Sequence, residues 1–309
     1  MLHIILGPTC SGKNALARCL APKLNAEIIS VDSMKIYCRM NIGTAKPTTA
    51  QRKAVPYHLI DIVDPNQTYN AAQFLQDCEA AMAKITKKGK LPLLAVGTPM
   101  YLKVLLYGMF TGPAQDNDIR QELEGLSQTK GPEHLHKQLA RVDPAKAEQL
   151  HPNDLKRIIR ALEVFRLTGQ PISKLQTHFK SQTLRYPVRI IGLERDRDEL
   201  YQRINDRVNR MFEQGLVKEV KSLLRKYKKL SPQAAQAVGY KEVIAHIKDG
   251  IPLTEAIDTV KKNSRHFARR QISWFHKFPE VKWIDVKETD KVDKIAKLVQ
   301  EEWRGKTGK

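Results

Sequence analysis

Leu2-His3-Ile4-Ile5-Leu6-Gly7-Pro8-Thr9-Cys10-Ser11-Gly12-Lys13-Asn14 opens the chain with a short apolar run, a loop framed by glycines and a lysine. A helix-like stretch follows, from Ala15 to Leu24. Strand, glycine-framed loop, lysine and helix in that order is the layout of a phosphate-binding P-loop. Gly7 and Gly12 let the backbone turn tightly, so successive N–H groups point into one concave nest. The positive end of the next helix faces the same spot, and Lys13 adds a full charge. The run Gly7, Pro8, Thr9, Cys10, Ser11, Gly12, Lys13 and Asn14 is therefore expected to bind a diphosphate or triphosphate. Many chemistries share such a loop, so it does not name the ligand. Position 14 usually carries Ser or Thr, whose hydroxyl holds magnesium. The amide oxygen of Asn14 is the candidate ligand instead, with Mg2+ as the expected cofactor.

Working outward, short apolar strands alternate with helices over the first hundred residues. Strands are expected at Leu2–Leu6, Glu27–Val31, His58–Val63 and Leu91–Val96, and helices at Lys13–Leu24, Ala71–Lys87 and Met100–Leu106. That alternation predicts an α/β fold with a parallel sheet covered on both faces. Sites in such sheets open at the carboxyl ends of the strands. Three loops are expected to meet there: Gly7–Lys13, Asp32-Ser33-Met34-Lys35 and Gly97-Thr98. Beyond Gly112-Pro113 the pattern turns helical, with helices expected at Pro132–Arg141, Ala145–Leu150 and Asp154–Thr168, the last stopped by Gly169 and Pro171. Strand character returns at Val188–Leu193. Basic amphipathic helices follow at Arg197–Phe212, Leu216–Tyr227 and Leu253–Phe275. The domain reading is a P-loop NTPase-like core over 1–115 and 187–309, interrupted by a helical insertion over 116–186.

The 309 residues carry a formal net charge of +20, which points to a polyanionic partner such as nucleic acid. No apolar run is long enough to cross a membrane, and the N-terminal apolar run stops at Gly7, unlike a signal peptide. Cys10, Cys19, Cys38 and Cys78 show no paired metal spacing and read as reduced thiols of a cytoplasmic protein.

Asp32 ends an apolar strand beside the expected phosphate loop. It reads equally as a general base or metal ligand and as a turn cap. A nucleotide-driven motor usually ends a strand with an acid that holds magnesium. Leu93 to Thr98 contains none, and only Asp61 or Asp64 imitates one. Arg157 and Arg160 share a helix face. Lys261, Lys262, Arg265, His266, Arg269, Arg270 and His276 surround Phe267, Trp274 and Phe275. Basic residues interleaved with aromatics suit RNA. The aromatics are expected mostly in the core, with the charges outside.

Ordered along the chain stand Gly7-Pro8-Thr9 with Ser11-Gly12-Lys13, Val31-Asp32-Ser33-Met34 with Tyr37, Asn41-Ile42-Gly43-Thr44-Ala45-Lys46-Pro47 and His58-Leu59-Ile60-Asp61. His151-Pro152-Asn153-Asp154, Arg160-Ala161-Leu162-Glu163-Val164, Thr168-Gly169, Val238-Gly239-Tyr240-Lys241-Glu242 and Arg269-Arg270-Gln271 with Trp274 continue the series. Taken together they resemble the tRNA dimethylallyltransferase (tRNA isopentenyltransferase, MiaA) family from the P-loop to about Trp283. The resemblance implies transfer of a dimethylallyl group from dimethylallyl diphosphate to the exocyclic amine of the adenine 3′ of the anticodon, position 37, in tRNAs reading codons that start with U. It implies that Asp32 takes the amine proton, that Thr98 helps bind and orient the diphosphate, and that Lys13 matches its charge. It further places Asp32, Ser33, Met34, Lys35, Arg120, Lys156, Arg157, Ile158, Ile159, Arg160, Gln236, Ala237, Val238, Gly239, Tyr240, Lys241 and Arg270 against tRNA. The implied partners are the anticodon stem-loop and the prenyl donor, with the protein a monomer.

Three positions depart from the family pattern. Asn14 replaces Ser or Thr. Val96-Gly97-Thr98-Pro99-Met100-Tyr101 stands where Gly-Gly-Thr-Gly-Leu-Tyr is usual, so a stiffer loop with one backbone donor fewer is expected. Cys38-Arg39 replaces Arg-Gly. Competing readings are an adenylate isopentenyltransferase acting on free nucleotide, a P-loop small-molecule kinase, and an RNA-binding protein without catalysis. The insertion and the Gln236–Lys241 region favour tRNA.

Overall fold

The computed structural model describes residues 1–110, 112–176 and 183–305. Residues 177–182 of the expected insertion and the last four of the chain lie outside the described residues. The elements run β1 (Leu2–Leu6), α1 (Lys13–Lys23), β2 (Ala26–Val31), α2 (Thr49–Ala54), β3 (Tyr57–His58), α3 (Ala71–Lys87), β4 (Leu91–Val96) and α4 (Pro99–Tyr107). A helical stretch follows: α5 (Asn117–Lys130), α6 (Pro132–Val142), α7 (Pro144–Ala147), α8 (Leu155–Thr168) and α9 (Ile172–Leu175). The chain then forms β5 (Val188–Glu194), α10 (Arg197–Glu213), α11 (Leu216–Tyr227), α12 (Pro232–Ala235), α13 (Tyr240–Asp249), α14 (Leu253–Phe275), β6 (Val281–Asp285) and α15 (Val292–Arg304).

The chain divides into two compact units, residues 1–104 with those from 186 onward, and residues 105–185. In the larger, six strands form one sheet in the order β3-β2-β4-β1-β5-β6, every pair parallel. β2, β4 and β1 are therefore neighbours, and their carboxyl ends bring three loops side by side: Asp32–Lys35, Gly97-Thr98 and Gly7–Lys13. The sheet strands are apolar throughout because both faces are covered. Leu16, Leu20 and Ala21 of α1 and Val299 and Trp303 of α15 pack with Ile5, Ile28 and Leu93 of the sheet. α3 buries Phe74, Cys78 and Ile85, and Phe74 stacks on Tyr101 with ring centroids 4.2 Å apart. The smaller unit has its own core of Leu123, Leu135, Leu139, Ile158, Leu162 and Val164. Its α8 stops at Gly169, which takes the left-handed φ of 67° that favours glycine.

One sequence expectation needs correction. The strand expected at His58–Val63 pairs only as Tyr57–His58. Leu59 (φ 59°) and Asp61 (φ 56°) sit in the left-handed region, which ends an extended ladder. The Asp61 carboxylate is held by Lys46 at 2.5 Å and Arg52 at 2.6 Å, so it is a loop anchor and no imitation of a metal-binding strand end. Beyond β6, α15 covers one face of the sheet.

β5 and β6 approach closely because Gly192 has no side chain. A Cβ at that position would lie 2.5 Å from the Trp283 ring and 2.7 Å from Val281. Overpacking of that kind costs about 1–3 kcal/mol. Gly192→Ala is expected to lower stability by that amount, read as a shift of the denaturant midpoint at unchanged slope.

Candidate functional site

The Gly7–Asn14 loop is tight for steric reasons. A Cβ on Gly7 would sit 2.7 Å from Ser11 Oγ, and Gly12 and Cys10 take φ of 100° and 64°. The loop's carbonyls turn away from its concave side, onto cations. Pro8 O accepts from Lys13 Nζ (3.0 Å), Cys10 O from Arg203 Nε (3.1 Å) and Ser11 O from Arg195 Nε (3.0 Å). Arg207 Nη1 donates to Thr9 Oγ1 at 2.8 Å and lies 3.6 Å from Cys10 Sγ. The amides of Cys10, Gly12, Lys13 and Asn14 have no protein acceptor among the described residues. Four free amides at a helix N-terminus, with arginines alongside, form an anion site.

Gln271 of α14, buried, joins this loop to the next one. Thr9 N–H donates to its Oε1 (2.8 Å), and its Nε2 donates to Gly97 O (2.5 Å). Ser33 N–H donates to Thr98 Oγ1 at 2.9 Å, which ties the third loop in. Pro99 begins α4, at a position whose N–H a helix leaves unpaired in any case. Tyr101 and Leu102 N–H both bond to Thr98 O. The proline thus costs no helical hydrogen bond.

Asp32 fills the capping role with one of its two carboxylate oxygens. Its Oδ1 accepts from Met34 N–H (2.9 Å) and Lys35 N–H (3.2 Å), capping the turn. Its Oδ2 stays out of that turn, 4.0 Å from Lys35 Nζ and facing Gly97, whose absent Cβ would lie 3.2 Å away. Lys13 and Lys35 are buried beside it. Desolvation, reinforced by the Lys35 charge and opposed by Asp32, lowers the Lys13 pKa to about 7. Desolvation lowers that of Lys35 as well, with Asp32 opposing.

These groups share a cavity of about 410 Å³. Thr9, Cys10, Lys13 and Asn14 line one part, and Asp32 to Lys35, Gly97 and Thr98 another. Ile204, Val208, Met211 and Val260 supply an apolar wall, and the exposed Phe267 stands at its solvent edge. A cationic, amide-rich end beside an apolar one fits a diphosphate carrying a short hydrocarbon. No cluster of three or more His, Cys, Asp or Glu suited to a metal occurs among the described residues.

The positions that the resemblance assigns to RNA fall into groups. Gln236, Val238 and Arg270 line the cavity, and Gln236, Lys241 and Arg270 are exposed. Ala237 and Gly239 are buried. Tyr240 also lines the cavity but is buried, with its hydroxyl donating to Glu219 Oε1 at 2.6 Å. Burial and that carboxylate push its pKa up. Glu219 in turn accepts from Asn41 N–H (3.0 Å) and Ile42 N–H (2.9 Å), fixing the Gly43–Ala45 wall of the cavity. In the smaller unit, Lys156 and Arg157 are exposed, Arg157 pairing with Asp154. Ile158 and Ile159 are buried in that unit's core. Arg120 (2.9 Å) and Arg160 (2.6 Å) both hold the fully buried Glu163.

Sequence reasoning missed Arg195, Arg203, Arg207, Gln271 and Glu219. A signal for the first three existed: Arg195 follows the carboxyl end of β5, and Arg203 and Arg207 lie four apart on the next helix. Phe267 corrects the expectation of a mostly core aromatic set, since it is 38% exposed on the cavity wall while Phe275 is fully buried.

The model of the IPP transferase family matches residues 35–278, and that of the isopentenyl transferases residues 1–59. The chain is 44% identical over 288 residues to tRNA dimethylallyltransferase 2 of Geotalea uraniireducens, covering 93% of each. It is 42% identical over 298 residues to the tRNA dimethylallyltransferase of Bacillus mycoides, covering 96% of this chain and 93% of that protein. Among solved structures, a tRNA isopentenylpyrophosphate transferase from Bacillus halodurans matches with a TM-score of 0.71 at 38% identity, over 99% of this chain and 97% of that one. A eukaryotic dimethylallyltransferase acting on tRNA matches with a TM-score of 0.80 at 28% identity, over 97% and 77%.

The low pKa of Lys13 gives the site a proton signature. At pH 8 this amine is mostly neutral, while a bound diphosphate favours the ammonium. Binding of dimethylallyl diphosphate at pH 8 is expected to take up as much as about one proton, so affinity rises as pH falls from 9 to 7. Calorimetry in two buffers of different ionisation enthalpy reads the uptake, and Lys13→Met is expected to abolish it.

Proposed function

This chain belongs to the IPP transferase family and prenylates tRNA, and from that premise we propose the acceptor, the donor and the residues that act. The dimethylallyl group of dimethylallyl diphosphate goes to the exocyclic amine of the adenine at position 37, in tRNAs reading codons that start with U. The observation that carries this reading is one cavity in which the phosphate loop, the apolar wall and the Asp32 carboxylate converge. The amine nitrogen forms a bond to the allylic carbon, and the carbon–oxygen bond to the diphosphate breaks. The amine proton goes to Asp32 Oδ2, the oxygen outside the capping turn. Lys13, Arg207 and the four free loop amides match the charge that gathers on the departing diphosphate. Thr98, fixed to the Ser33 amide, orients the neighbouring loop.

The relatives favour tRNA over free nucleotide as acceptor, since the proteins matched over nearly the whole chain carry tRNA in their names. The exposed Gln236, Lys241 and Arg270 suit an anticodon stem-loop. We place the enzyme with its substrate in the cytoplasm, acting as a monomer. No helix is long and apolar enough to cross a membrane among the described residues.

Magnesium fits the cavity as a shared ligand. Asn14 is the residue that would hold it, with diphosphate oxygens and water supplying the rest. When bound it would add positive charge at the diphosphate.

Asp32→Asn tests the base. The asparagine oxygen keeps the cap on Met34 and Lys35, so the fold is preserved while the proton acceptor is lost. Turnover on tRNA is expected to fall by about two to four orders of magnitude, with tRNA affinity nearly unchanged. Near-normal turnover would end the assignment.

Asn14→Thr tests the metal position. The hydroxyl restores the usual P-loop ligand. The magnesium concentration needed for half-maximal donor binding is expected to drop, with tRNA affinity unaltered. An unchanged requirement would show that the ion does not use this position.

A further inference from the structure

Helix α14 buries Ala256, Val260, Ala268, Gln271 and Phe275. Phe267 precedes Ala268 and so points about 100° away round the helix. Its 38% exposure would not by itself mean anything, since single exposed apolar side chains are ordinary. Two further observations set it apart. The other strongly exposed large apolar residues among those described are Met1, Ile62, Met100, Leu167, Leu253 and Leu298, none of them aromatic and none on the cavity wall. Phe267 lines the same cavity as Asp32 while remaining open to solvent, which places it at the rim. Cations also surround it on its own helix. Lys262, Arg269 and Arg270 have no carboxylate partner among the described residues, whereas Lys261 pairs with Asp258 at 3.7 Å.

An adenine that reaches Asp32 must leave the stack of its loop. The neighbouring base then loses a stacking partner and exposes one face to water. An aromatic ring at the rim can replace that partner, and flanking cations can hold the backbone on either side. We propose that Phe267 is a stacking platform for a base adjoining the target adenine, occupying the place the adenine vacates. This rests on the tRNA reading above and adds a specific RNA-positioning residue to it. Phe267 acts on the acceptor side, and the prenyl chain is left to Ile204, Val208 and Val260.

The test uses the full chain, an anticodon stem-loop hairpin and three variants. Hairpin affinity is read by fluorescence anisotropy without donor. KM for hairpin and for dimethylallyl diphosphate are read in turnover. Phe267→Leu is expected to weaken hairpin binding by about 5- to 100-fold, the loss of one stacked base, while Phe267→Tyr stays within about threefold of wild type. KM for the donor is expected to stay unchanged in both. Phe267→Met provides a second non-aromatic comparison should leucine perturb the helix. The proposal is overturned if the non-aromatic variants bind the hairpin as wild type does. It is equally overturned if tyrosine fails as leucine does, or if only the donor KM moves. A wild type that binds the hairpin with the expected ring dependence but transfers nothing would sink the functional reading and leave the stacking role standing.

Discussion

The site depends on which way one loop's peptide groups face. A P-loop binds an anion only if its N–H groups point inward, and that requires somewhere for its carbonyls to go. Here Lys13, Arg195 and Arg203 receive the carbonyls of Pro8, Ser11 and Cys10, and Arg207 holds the Thr9 hydroxyl. The arrangement fixes the loop before any ligand arrives, so binding does not have to order it. It also gathers positive charge in a partly desolvated place, and the depressed pKa of Lys13 is the cost of that. A diphosphate relieves it. Burial, with the Lys35 charge second, depresses Lys13, and an anion beside it offsets both.

The charge of +20 is informative only once the cations are sorted. Some are internal struts. Lys88 and Lys90 hold the buried Glu27, Arg120 and Arg160 hold Glu163, and Lys46 and Arg52 hold Asp61. A buried carboxylate without such partners would be costly, so these cations are already spoken for by the fold. Others, such as Lys241, Arg269 and Arg270, remain exposed and unpaired with acids among the described residues, and they lie on elements that also build the cavity. Sequence spacing put Arg157 and Arg160 on one face, but their partners differ. Arg160 serves its own unit's core, and Arg157 stays at the surface.

What was legible in the sequence was local. The P-loop, four of the six sheet strands and the basic helices follow from glycine placement and hydrophobic period, and Asp32 from its place after an apolar strand. What was hidden depended on residues far apart in the chain. Leu59 and Asp61 take positive φ in a loop held from Lys46 and Arg52, so a run that reads as strand is not one. Arg203 and Arg207 meet the P-loop across some two hundred residues. Tyr240 reads as a surface contact in a basic motif, yet lies against Gly43, where an added Cβ would come within 2.4 Å of its ring. Period alone could not separate Phe267 from Phe275, because both sit on an amphipathic helix and only the cavity distinguishes them.

The departures from the family pattern differ in physical weight. Pro99 is absorbed by the start of α4. Arg39 stands where the resemblance has glycine and adopts φ of 63°, a left-handed conformation that a side chain makes unfavourable by about 1 kcal/mol. That strain lies on an exposed residue of the loop after Tyr37, outside the cavity lining. Asn14 is different, because it lines the cavity beside the free amides. A neutral amide there changes what the chain offers a cation but leaves the anion nest intact, since the nest is built from backbone N–H groups. Donor binding and metal binding, which the usual residue couples through one hydroxyl, are thus separated in this chain. On the proposed reading the phosphate is held by backbone and arginine, and the cation depends more on the phosphate than on the protein.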